Sequence, residues 1–227
     1  MRKNVLCFLI LMLYIGIGLS EADDKGNLTA EAPTFKVGDT WVYDESETKA
    51  IEVTGDRVVF HRKITSDRPS ASLCGVGKPV REMRGEYDRN YTLVKALTIS
   101  AQPIKECDDA VGLKYYDFPL FVGKTWSFTA DMKTDHRGQT DVHLDNYVNN
   151  FTVESIENVT VPAGTFRCFK IRQAQQRRGC NLRTSSSRSS GNFYDRYSWY
   201  SPEAKRSVKT TNWDGSISSQ LSSMKLE

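Results

Sequence analysis

Histidine is the side chain that most readily moves protons near neutral pH, and the chain has three: His61, His136 and His143. Two of them fall in "TDHRGQTDVHLD", where Asp135, His136, Asp141, His143 and Asp145 crowd into eleven residues. Asp141, His143 and Asp145 alternate, so on a strand they share one face. An imidazole between two carboxylates suits a divalent metal. The competing reading is a polar hairpin around "RGQT" with solvated ends. His61, inside "VVFHRKI", reads as an ordinary sheet residue. The sequence has no Gly-x-Ser-x-Gly, no His-Glu-x-x-His and no phosphate-binding glycine loop. The expectation is therefore a non-enzymatic protein with no catalytic residue and no cofactor, a hydrolase being the least favoured alternative.

Arginine offers a second chemistry. Between Glu157 and Asp195 there is no acidic residue, yet the interval holds Arg167, Lys170, Arg172, Arg177, Arg178, Arg183 and Arg188. Its tip, "RRGCNLRTSSSRSSG", is too polar for a core and too rich in Gly and Ser for a firm strand. The planar guanidinium fork suits carboxylate and phosphate oxygens. Arg172, Arg177, Arg178, Arg183 and Arg188 are thus candidates for docking an anionic component of a cell envelope. The alternative is a solvated loop.

Cysteine gives the third. Cys74, Cys107, Cys168 and Cys180 follow Cys7 in the leader. An even number in an exported chain points to two disulfides. Short separations favour Cys74–Cys107 and Cys168–Cys180, with other pairings or free buried thiols as alternatives. No Cys-x-x-Cys is present, which argues against zinc.

The elements that must position these groups follow from the rest of the chain. Arg2 and Lys3 precede the uncharged run "VLCFLILMLYIGIGL", and Ser20 and Ala22 are small residues two apart. This is the pattern of a secretory signal peptide over residues 1–22, and it predicts a periplasmic or extracellular protein with no membrane span after cleavage. Without residues 1–22, Lys plus Arg falls from 31 to 29 and Asp plus Glu from 28 to 27. So balanced a charge gives no reason to expect nucleic acid as a partner. Residues 23–33 are polar and predict a flexible lead-in. From residue 34 to 227, short runs such as "TWVYDE", "DRVVFHRKI", "TFRCFKIRQ" and "RSVKTTNW" are rich in Val, Thr, Tyr, Phe and Trp. They predict one all-β domain of antiparallel strands with few short helices.

"VGDTW" at Val37 recurs as "VGKTW" at Val122, and "YDR" at Tyr87 recurs at Tyr194. Each glycine can take the positive φ that turns the chain into a strand. Trp41 with Tyr43, and Trp126 with Phe128, then fall on one face as apolar anchors. The repeat predicts two meanders, about 34–115 and 116–227, in one sheet or barrel.

"FPLFVGKTWSF", "VTVPAGTFRCFKI" and "WYSPEAKRSVK" occur in that order from Phe118 to Lys209. This series resembles a group of exported bacterial β-rich proteins, the domain of unknown function 3108 and its relatives. The resemblance implies a strongly curved antiparallel sheet or half-barrel, related to the half-barrels of lipoprotein carriers, and it carries no catalytic residues. A half-barrel of this kind could carry an apolar, lipid-like ligand, which is the alternative to an envelope-docking module.

Overall fold

In the computed structural model the described residues are 28–65, 81–98, 105–106, 112–134, 143–179 and 193–227. They form twelve strands: β1 (Thr40–Tyr43), β2 (Ser46–Thr54), β3 (Arg57–Ile64), β4 (Glu82–Asp88), β5 (Leu93–Thr98), β6 (Lys105–Glu106), β7 (Thr125–Thr134), β8 (His143–Val161), β9 (Gly164–Gly179), β10 (Phe193–Ser201), β11 (Arg206–Thr211) and β12 (Ile217–Lys225). There is no helix among the described residues. All strands lie in one antiparallel sheet, ordered β6-β5-β4-β3-β2-β1-β12-β11-β10-β9-β8-β7. The sheet is open, with β6 and β7 at its edges. It consists of two six-stranded meanders, β1–β6 and β7–β12, joined where β1 pairs with β12.

The two meanders share more than their entry sequence. Gly38 (φ 104°) donates its N–H to Ala50 O at 2.9 Å, and Ala50 N returns a bond to Asp39 O. Gly123 (φ 91°) does the same with Val153 O at 2.8 Å, and Val153 N bonds Lys124 O. The residue after each partner, Ile51 and Glu154, is the extra residue of a β-bulge. Further bulges fall at Val94, where β4 meets β5, and at Val208, where β10 meets β11. The hairpins beside them each contain a non-glycine residue at positive φ, Tyr91 at 61° and Lys205 at 59°. Matched bulges bend and twist both meanders alike. By this register Tyr87 corresponds to Tyr200, each paired just past its bulge. The "YDR" echo at Tyr194 is therefore not an equivalent position.

The bend closes a core on the inner face. Trp41 is fully buried, its indole N–H donating to Ala204 O at 2.7 Å. Trp126 stacks flat on Phe151 at 5.0 Å, and its N–H reaches Lys114 O at 3.2 Å. Tyr43 and Phe128 pack against the same core, so both Trp-x-aromatic pairs are anchors. In β9, Phe166 and Cys168 are buried on one face, Phe169 and Ile171 on the other, as expected of a covered central strand.

One expectation is corrected. Cys168 is a free, buried thiol. It shares the unbroken strand β9 with Gly179. At about 3.3 Å per residue, eleven residues separate the neighbour of Cys180 from Cys168 by roughly 36 Å, whereas a disulfide needs Cα atoms within about 7 Å. Short sequence separation closes a loop only if the chain turns, and here it does not. Cys74, Cys107 and Cys180 lie outside the described residues, as does the signal segment. The lead-in is held by its last residues: Ala30 is buried and exchanges both backbone hydrogen bonds with Leu120, at 2.9 and 2.8 Å.

Candidate ligand cavity

β3 shows how the sheet builds a site. Its inward positions are Val58, Phe60, Arg62 and Ile64, three buried apolar residues and one arginine. β11 adds a second arginine: Arg206 enters directly after the hairpin at Lys205. Both line a cavity of about 550 Å³ on the concave face, between the meanders. Tyr43, Phe60, Tyr87, Tyr91, Tyr115 and Tyr116 supply an aromatic wall, and serines and threonines of β2, β11 and β12 supply hydroxyls.

Gly85 makes room for that wall. A Cβ there would stand 2.8 Å from the Tyr87 ring and 3.2 Å from Leu93. The surrounding protein holds the phenols protonated: it pushes Tyr116 and the more exposed Tyr115 up to about 12 and raises Tyr43, Tyr87 and Tyr91 as well. Tyr43 donates to Ser207 O at 2.9 Å, and the Tyr116 and Ser207 hydroxyls meet at 2.7 Å.

The two arginines differ. The Arg206 guanidinium lies over Phe60 at 4.9 Å, Trp41 at 5.0 Å and Tyr91 at 5.8 Å, a three-ring cation–π cage. Its Nη1 is buried with no hydrogen-bond partner, and so is Thr211 Oγ1. Arg62 is reached by water through the mouth of the cavity. Even so, the surrounding protein lowers its pKa, and the charge of Arg206 lowers it further. Its contact to Ser46 Oγ is long, 3.4 Å. Among the described residues neither arginine forms an ion pair. Among the described residues four basic ones line the cavity (Arg62, Arg196, Arg206 and Lys209) against a single carboxylate, the exposed Glu45. No histidine lines it among those residues.

The residues singled out in the sequence lie elsewhere. Arg172 donates Nε and Nη2 to Asp195, at 3.1 and 2.7 Å. The strip that lacks acids in sequence is thus partly neutralised across strands. Arg177 and Arg178 are placed only as backbone on β9, opposite Tyr147 and Asn146. Arg183 and Arg188 lie outside the described residues. His143 and Asp145 open β8, and their side chains, like the whole of Asp141, lie outside the description as well. His61 meets Glu82 at 3.3 Å as a sheet-surface residue. The cavity arginines carry no local motif, being 144 residues apart. One signal was readable: Arg62 interrupts an apolar face, Val58-Phe60-x-Ile64.

No curated protein matches the sequence. Among solved structures, a candidate exported protein with YmcC-like fold from Bacteroides fragilis is 13% identical with TM-score 0.39, over 86% of this chain and 99% of its own. A candidate lipoprotein from Parabacteroides distasonis is 14% identical with TM-score 0.40, over 88% and 100%. Residues 122–215 match the DUF3108-like family model, and that stretch contains the Val-Gly-Lys-Thr-Trp and Val-Pro-Ala-Gly-Thr-Phe motifs on which the resemblance rests.

Proposed function

We propose that the protein is a non-enzymatic, exported binding protein that holds one small organic ligand in the cavity between its two meanders. The observation that carries this reading is the cavity itself. Its volume of about 550 Å³ falls in the range of small-molecule sites, and its wall leaves Arg206 Nη1 and Thr211 Oγ1 without partners. Buried polar groups are nearly always satisfied, so an orphan donor and an orphan hydroxyl in one wall favour a site that is completed on binding. Export is supported by the N-terminal signal pattern. Docking through the Arg-rich strip is less favoured, because Asp195 already occupies Arg172.

The mixed wall argues against a purely hydrocarbon cargo, since two guanidinium groups would lose water against it. Delipidated protein should take up a small amphipathic fluorophore with one-to-one stoichiometry. Substituting Ser219→Trp at the cavity wall should reduce that uptake while leaving the melting temperature close to wild type. Uptake with no defined stoichiometry, or uptake unchanged in Ser219→Trp, would remove the cavity as the binding site.

A further inference from the structure

Arg62 and Arg206 line one cavity that is open at its mouth, and among the described residues no carboxylate pairs with either. Like charges repel more strongly where protein displaces part of the water between them, and Arg206, the less accessible of the two, keeps a buried Nη1 with no partner, which is costly. Such a pair is retained at least cost where a third, negative group shares the space. Arg206 is fixed over Trp41 and Phe60 by its ring cage, so it acts as a stationary charge. Arg62 is the accessible member, its fork committed only to the long Ser46 contact among the described residues. We infer that the ligand is an organic anion, with one oxyanion group seated against Arg62 in the field of Arg206 and a carbon body lying on the tyrosine wall.

The inference rests on the cavity reading above and adds the chemical class. Guanidinium forks bind carboxylate and phosphate oxygens alike; Tyr87, Tyr91 and Tyr115 offer ring faces and edges to a flat or bent carbon skeleton. Glu45, exposed at the cavity, forms no ion pair with either arginine among the described residues.

Two fluorophores that differ essentially by one anionic group test this: 8-anilinonaphthalene-1-sulfonate and the neutral N-phenyl-1-naphthylamine. The delipidated full-length mature protein should bind the sulfonate about tenfold or more tighter, as one charge-assisted contact implies. Arg62→Gln should erase most of that preference, and Arg62→Lys should restore part of it. Rising salt should weaken the sulfonate alone. Equal affinity for both probes, insensitive to Arg62→Gln, would overturn the anion while leaving the cavity function standing. Binding of neither would overturn both. Displacement by 1-naphthoate or 1-naphthyl phosphate shows which oxyanion is preferred. Displacement by inorganic phosphate alone at the same concentration would overturn the requirement for a carbon body.

Discussion

Asp39 is a completely buried carboxylate held at three points: Lys205 Nζ at 2.8 Å, and the backbone N–H groups of Glu227 at 2.9 Å and Lys36 at 3.0 Å. Burial pushes its pKa up, but the bonds and charge of Lys205 with the two N–H groups outweigh that and hold it below the ordinary 3.8. A depressed folded pKa contributes stability that is present above the unfolded value and is lost as pH falls through the folded one. Asp39→Ala should cost about 3–5 kcal/mol at neutral pH, because Lys205 is left without its partner. The gap between variant and wild type should narrow below about pH 4, as denaturant melts at several pH values would show; a gap constant to pH 2 would mean that the loss is packing. Cys168 makes a second test at this scale. Burial first, then Glu157 and Glu203, push its thiol up to about 12. Iodoacetamide should leave it untouched in the folded protein and label it in denaturant. Labelling at equal rates would show that β9 opens. Composition made an exported chain with paired cysteines the natural reading; what it could not show is that Cys168 lies mid-strand, since that depends on where β9 turns.

The entry turns were legible as elements. A glycine ahead of a Thr-Trp strand start predicts positive φ, and both turns have it, with the same hydrogen bonds. Their surroundings differ. A Cβ on Gly38 would lie 2.9 Å from Glu227 Cγ, a flexible side chain, whereas a Cβ on Gly123 meets nothing within 4 Å. Gly123→Ala should therefore report the backbone term alone, about 1–3 kcal/mol. Gly38→Ala should cost that much plus whatever displacing Glu227 adds. Thermal melts of the two single variants decide it, and a cheaper Gly38→Ala would mean that the turns are not equivalent. The bulges were not legible. Ile51 and Glu154 share no side-chain chemistry, and Val94 and Val208 are common strand residues. What makes them bulges is the count of residues on the facing strand, a property of pairing that no single run contains. The cavity shares this origin: Arg62 and Arg206 come together only because the bulged sheet bends.

At the scale of the molecule, each meander is completed by the other. The Trp41 indole of the first bonds Ala204 in the β10–β11 hairpin of the second. The Trp126 indole of the second bonds Lys114, which pairs with Thr92 at the start of β5 in the first. The β1–β12 seam and the rings around Tyr116 and Tyr200, 4.9 Å apart, tie the same halves together. The repeat marks two meanders of one expected domain, and these crossed contacts join them. Trp41→Ala or Trp126→Ala should each cost about 3–5 kcal/mol, with Trp41 the costlier because it is fully buried and also supports the Arg206 cage. Either variant should unfold in one transition. Hydrogen exchange should lose protection in both meanders, including the one without the substitution. Two separated transitions, or protection lost only in the mutated half, would mean that the meanders are independent domains and that the cavity is an interface between them.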